Sequence, residues 1–193
     1  MQRPVLTTKR LVLRQFDQQD LPAFYQLFSD PEVNTYLPWF PLKSMDEAAE
    51  FFAQRYAKSN DYNYAICLKE DKLPIGYVNV SMQASHDLGY GLRKEFWRKG
   101  IVKEACQAIL TQVKQDKIPY VTATHDVKNQ HSGYVMQALG MKYQYSYEEL
   151  WQPKNIAVTF RMYQLNFTTA DDFVYREYWE KYPKHFVEEI VSE

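Results

Sequence analysis

Gly89-Tyr90-Gly91-Leu92-Arg93-Lys94-Glu95-Phe96-Trp97-Arg98-Lys99-Gly100-Ile101-Val102-Lys103-Glu104-Ala105 ends a strand, makes a short basic turn and opens a helix directly after a glycine. Backbone N–H groups at a helix start lack intrahelical partners and carry partial positive charge, so such a turn is suited to face a pyrophosphate. Arg98 and Lys99 would add charge there. A glycine in an ordinary strand-to-helix turn produces the same pattern. The common phosphate motifs do not fit: Lys94 stands where the dinucleotide fingerprint needs its third glycine, and no G-x-x-x-x-G-K-[ST] loop occurs. Gly89 and Gly91 fall on one face of a strand, which marks close approach of another backbone or a ligand.

Downstream of this turn, Val102, Ala105, Ile109 and Val113 share one face and predict an amphipathic helix over 101–115. A strand follows at 120–125, then a helix over 130–139 ended by Gly140, and strands near 141–147 and 156–165. Upstream, three strands at 64–69, 75–82 and 87–92 form an antiparallel meander. Before them, alternation over 7–16 predicts a strand, Asp20 reads as the cap of a helix starting at Leu21, and Ser44-Met45-Asp46-Glu47 is a capping box. The fold class is therefore α+β: a central, mostly antiparallel twisted sheet flanked by helices.

With 193 residues, one domain is expected; 46% hydrophobic and 24% charged residues exclude a fibrous or disordered chain. A net charge of -1 argues against a nucleic-acid partner. Cys67 and Cys106 make no disulfide framework and suit a reducing compartment. No apolar run approaches the roughly 20 residues of a membrane span, and Met1-Gln2-Arg3-Pro4 lacks a signal-peptide pattern, so a soluble cytoplasmic protein without a membrane partner is expected. His86-Asp87 and His125-Asp126 lack metal-ligand spacing, so no metal is expected, and Ser132 beside His131 has no nucleophile elbow.

Several ordered motifs resemble the GNAT superfamily of acetyl-CoA-dependent N-acetyltransferases, and within it the ribosomal-protein N-terminal (alanine) acetyltransferase branch. They are Thr8-Lys9-Arg10-Leu11-Val12-Leu13-Arg14, Asp20-Leu21, Asp30-Pro31-Glu32-Val33, the 87–105 stretch, and Asn129-x-x-Ser132 before Leu139-Gly140-Met141. The likeness spans about 7–165 and implies the acyl-CoA N-acyltransferase fold. It makes Trp97-Arg98-Lys99-Gly100-Ile101-Val102 the pyrophosphate turn, with Arg98 and Val102 departing from the residues usual there. The resemblance implies acetyl-CoA contacts from Gly91, Leu92, Arg98, Lys99, Gly100, Ile101, Val102, Asn129 and Ser132, with backbone N–H groups near Gly91 and Leu92 facing the thioester oxygen. Met136 occupies the place of the tyrosine that protonates the thiolate in many relatives, which leaves Ser132 as the hydroxyl for that role. Capping or cofactor positioning is the alternative for Ser132, and helix capping for Asn129. Asp87 stands where a Glu is common and is the candidate base, with Glu148 or Glu149 reaching the acceptor through water; a solvated carboxylate is the alternative for each.

The implied activity is acetyl transfer to a primary amine by direct attack in a ternary complex. The acceptor is a protein N-terminus or a small molecule such as a polyamine or amino sugar. An α-amine, with a pKa about 2.5 below that of Lys, is neutral far more often near pH 7 and asks less of a base. The alternative is a non-catalytic CoA-binding or protein-binding module of the same fold, as monomer or homodimer.

Two aromatic clusters flank this core. Tyr36, Trp39 and Phe40 form either a pocket wall or a folded-in loop. Residues 1–166 make the transferase-like domain, and 167–193 make an extension in which Tyr175, Tyr178, Trp179 and Tyr182 follow helical spacing up to Pro183. That stripe must cover its own sheet, the acceptor groove or a second subunit.

Overall fold

The structure, a computed structural model, describes residues 3–56 and 59–189. Strands β1 (Leu6–Thr7) and β2 (Leu11–Arg14) lead to helices α1 (Leu21–Ser29) and α2 (Met45–Arg55); a meander of β3 (Tyr62–Leu68), β4 (Pro74–Val80) and β5 (Leu88–Leu92) follows. Then come α3 (Ile101–Gln115), β6 (Tyr120–Asp126), α4 (Gln130–Ala138), β7 (Lys142–Trp151), β8 (Ile156–Asn166), the short α5 (Glu177–Lys181) and β9 (His185–Phe186). The strands form two sheets, in the orders β1-β2-β3-β4-β5 and β6-β8-β7-β9, and all named pairs are antiparallel.

The expected strand over 7–16 is broken at residues 8–10, because Thr8 turns the chain: its N–H and hydroxyl bond Leu11 O while its hydroxyl oxygen accepts Leu11 N–H. The cap before α1 also differs from the sequence reading. Asp17 caps a 3-10 turn at Gln18–Asp20, and Asp20 makes no side-chain cap for α1. Asp20 instead lies 6% exposed and takes both nitrogens of the Arg14 fork at 2.6 and 2.8 Å. The Ser44 cap of α2 is present, its hydroxyl accepting Glu47 N–H at 3.1 Å.

Alternation along β5 sorts its side chains between two faces. Leu88, Tyr90 and Leu92 face the main core, where Ile101, Ala105, Ile109 and Val113 of α3 meet Leu11, Leu13, Ile66, Val78 and Val80. Asp87, Gly89 and Gly91 face the opposite side, on which Phe24, Phe28 and Phe52 of α1 and α2 pack with Tyr77. Burial of such apolar area, at about 25 cal/mol per Å², holds these layers together.

On the β6–β8–β7 sheet a third cluster of Tyr145, Tyr147, Val158, Phe160 and Met162 is covered by Tyr178, Trp179 and Tyr182. The aromatic stripe is not one helix: α5 holds Tyr178 and Trp179, and Tyr182 is already extended at φ -102 and ψ 122. Pro183 excludes the helical conformation for the residue before it. The segment ahead of α5 is fastened by Gln164, 3% exposed, whose amide bonds Tyr175 N–H at 2.9 Å and Phe173 O at 2.8 Å. Tyr145 donates its hydroxyl to Tyr175 O at 2.7 Å. Past α5, β9 pairs with β7, and Glu188 takes Arg161 of β8 and the Ser146 hydroxyl.

Candidate functional site

β5 and β6 lie side by side at one isolated parallel bridge, Asp87 to Thr122, and belong to different sheets beyond it. A wedge therefore opens between them. Hydrogen-bonded and non-bonded pairs alternate along an antiparallel ladder. Because Ser81 N–H bonds Asp87 O and Arg93 N–H bonds Ile75 O, the register assigns the N–H groups of Gly89, Gly91 and Arg93 to β4. The N–H groups of Tyr90 and Leu92 point into the wedge. Of the two donors read from the sequence, Leu92 thus faces the wedge and Gly91 is spent in the ladder.

The two glycines have a further reason. A Cβ on Gly91 would stand 2.4 Å from the Tyr77 ring, and one on Gly89 2.7 Å from the Asn79 amide oxygen. The close approach expected at this face is made by side chains of β4. Tyr77 in turn stacks on Phe28 at 5.3 Å, so the glycine pair lets α1 seat against the sheet.

After β5, Trp97 locks the turn by donating its indole N–H to Leu92 O at 2.6 Å. Arg98 and Gly100 both adopt left-handed backbone, with φ 59 and 70. The first bond of α3 runs from Glu104 N–H to Gly100 O at 3.1 Å. It leaves the N–H groups of Ile101, Val102 and Lys103 directed out of the helix end. Arg98, Lys99 and Gly100 are exposed, Val102 is half-buried, and Ile101 is buried in the core. A brace that the sequence reading missed comes from Arg10: it donates to Lys99 O at 2.8 Å and pairs with Glu104 at 2.7 Å, while Thr8 donates to the same carboxylate at 2.5 Å.

Across the wedge, Asn129 caps α4, its side-chain oxygen accepting Ser132 N–H at 3.4 Å and its amide donating to Ser132 Oγ at 3.1 Å. Tyr90 donates its hydroxyl to Ser132 O at 3.0 Å and so ties the helix start to β5. Burial holds the Tyr90 hydroxyl well above the usual tyrosine range. Met136 is 1% exposed and packed in the main core. His125 is 4% exposed and donates through Nδ1 to Asp126 O at 2.8 Å; burial lowers its pKa.

Asp87, at the head of the wedge, accepts a 3.4 Å hydrogen bond from the Thr122 hydroxyl. Burial pushes its carboxyl up to about 7, the Thr122 bond opposing. Among the described residues no lysine, arginine or histidine forms an ion pair with it. Glu148 pairs instead with Lys184, at 2.5 Å. On the same side, the segment between α1 and α2 is held by Lys154, donating to Asn34 O at 2.9 Å, by Tyr36 to Lys128 O at 3.3 Å, and by Lys94 to Glu32 at 2.9 Å. Of its aromatics, Trp39 folds into the α1–α2 cluster, whereas Phe40 stays 55% exposed. Among the described residues no group of three His, Cys, Asp or Glu side chains could hold a metal ion, and no helix is long and apolar enough to cross a membrane.

Residues 10–142 match the family described as acetyltransferase (GNAT) domain. The uncharacterized N-acetyltransferase YnaD of Bacillus subtilis (strain 168) is 28% identical over 141 residues, covering 71% of this chain and 82% of that protein. Among solved structures, a GNAT-family acetyltransferase from Bacillus anthracis superposes with TM-score 0.74 at 22% identity, covering 84% of this chain and 98% of that one. A Vibrio cholerae protein whose provisional name is ribosomal-protein-serine acetyltransferase superposes with TM-score 0.70 at 19% identity, covering 86% of this chain and 99% of that one.

Proposed function

This chain belongs to the GNAT acetyltransferase family, and from that premise we propose that it moves an acetyl group from acetyl-CoA to a primary amine by direct attack in a ternary complex. The observation that carries the reading is the wedge itself: β5 and β6 part beyond the Asp87–Thr122 bridge, Leu92 N–H points between them, and the N–H groups opening α3 are free of helical partners; the Ser132 hydroxyl and the Asp87 carboxyl, on the two faces of β5, are assigned to it. Three unpaired donors at the start of a 15-residue helix, beside Arg98 and Lys99, fit a pyrophosphate. Acetyl-CoA, when bound, supplies the activated acetyl group. Leu92 N–H then faces the thioester oxygen as it gains charge. Asp87, with a pKa of about 7, takes a proton from the attacking amine near neutral pH. Ser132, its oxygen bonded by Asn129 Nδ2, gives its hydroxyl proton to the departing thiolate and is reprotonated through water by the proton that Asp87 took from the amine, which restores both groups. The acceptor is a protein N-terminus or a small-molecule amine, and the compartment is the cytoplasm, consistent with two buried free cysteines.

Thiol release from acetyl-CoA with a panel of peptides, polyamines and amino sugars, each product identified by a mass gain of one acetyl group, tests this reading. Turnover with at least one amine class is expected. Met136 buried in the place of the usual tyrosine favours a second reading, a CoA-binding or protein-binding module. A folded chain that binds acetyl-CoA and releases no thiol with any amine would establish that one instead.

A further inference from the structure

We propose that the C-terminal extension forms one wall of the acceptor side, and that Tyr178 is a positioning residue that keeps the Asp87 carboxyl out of bulk water. The inference rests on the assignment of Asp87 as the base. Its foundation is the side of the sheet on which the extension lies. Asp87, Gly89 and Gly91 face the α1–α2 side, and so does Thr122, because Val121 and Ala123 on either side of it point into the main core. The extension covers this same side: Phe173 and Tyr175 pack on Tyr120 with ring centroids 4.9 and 6.1 Å apart, and Tyr120 donates to Ala84 O at 2.6 Å. The Thr122 hydroxyl donates to Ser85 O at 2.9 Å, and the Tyr178 hydroxyl lies beside the Ser85 side chain. The turn before Asp87 is thus held from β6 and flanked by α5.

On the carboxyl's own side of the sheet stand the Thr122 hydroxyl from β6 and, near enough to feel its charge, Tyr178 from α5 and Tyr147 from β7; Tyr90 of its own strand points to the other face. All are neutral at pH 7. The Tyr147 ring is stacked between Tyr178, at 5.2 Å, and Tyr182, at 4.9 Å, which fixes this wall as a three-ring layer. A carboxyl so enclosed keeps its proton to higher pH because the charged form is poorly solvated. Asp87 nevertheless retains a minor exposed part, through which an amine can reach it. Tyr178 is half-buried, so its ring is the replaceable part of the enclosure. The matched family span ends at residue 142, ahead of the whole extension.

The test uses the full-length chain with Asp carboxyls labelled with ¹³C and the Asp87 resonance assigned through Asp87→Asn. In the parent, Asp87 titrates near neutrality. Tyr178→Ala lowers its midpoint by at least one pH unit towards the ordinary value, and lowers the acid limb of kcat/KM for the acceptor equally. Tyr178→Phe restores the parent midpoint, and KM for acetyl-CoA stays within twofold in both. Should Tyr178→Ala not fold, Tyr178→Asn, which also opens the carboxyl to water, takes its place. A folded opening variant whose Asp87 midpoint is unmoved overturns the proposal, as does a parent midpoint near 4. The titration needs no turnover, so a chain that acetylates no amine refutes the proposed function without obscuring this result.

Discussion

Replacing Asp87 with asparagine should make the protein more stable while removing its base, and the gain should depend on pH in a defined sense. Burial moves the carboxyl from 3.8 to about 7. At about 1.4 kcal/mol for each tenfold change in proton affinity, holding the ionised form in place costs about 4 kcal/mol above pH 7. Between pH 4 and 7 the folded chain binds more protons at this site than the unfolded chain, so its contribution to stability falls as pH rises. From pH 5 to pH 8 that contribution drops by about 2 to 3 kcal/mol, nearly all of it below pH 7. The substituted amide keeps the shape and a partner for the Thr122 hydroxyl, and does not titrate. Urea unfolding of parent and Asp87→Asn at pH 5 and pH 8 reads the effect, since other groups titrate equally in both chains. The stability gap should widen by about 2 to 3 kcal/mol at the higher pH. A gap no wider at pH 8 than at pH 5 would refute the claim that this carboxyl is held in a poorly solvating site.

Gly100→Val places a β-branched residue at φ 70 over the helix start, so acetyl-CoA affinity by titration calorimetry should fall at least tenfold in a chain that still folds. Ser132→Ala should lower kcat by about 10²-fold and acetyl-CoA affinity far less, whereas a loss confined to affinity makes Ser132 a positioning residue. Arg14→Ala leaves Asp20 buried without its cation and should cost about 3 to 5 kcal/mol in denaturant unfolding. Glu104→Ala frees Arg10 and Thr8 from the turn and should raise the KM for acetyl-CoA with kcat nearly unchanged.

How far the sequence could be read depended on the range of the interaction that decides each feature. The α3 boundaries followed from a glycine and a 3.6-residue apolar period, both local, and the structure places the helix at Ile101–Gln115. Asp20 shows the limit of local reading. An acidic residue before Leu21 looks like a cap, but its partner Arg14 comes from a strand and outcompetes the helix N–H groups. Gly91 and Leu92 were inseparable by motif, because the parity that sends one N–H to β4 and the other into the wedge exists only once the strand partner is known. The glycine pair was legible as a close approach, and its occupants, Tyr77 and Asn79, were not. The setting of Asp87 depends on burial and on Thr122, a strand partner 35 residues further along that only the fold brings beside it.

The two-residue strands β1 and β9 stand at opposite outer margins of the sheets. A sheet margin with free N–H and C=O groups is a template on which another chain can add a strand. At one margin the template is Leu6–Thr7 alone; at the other, His185–Phe186 covers the middle of β7, and the Glu148–Lys184 ion pair places charge beside it. Two paired residues offer too few bonds to hold a foreign strand. The two short strands and the ion pair thus work against copies of this chain growing into a continuous sheet at these margins.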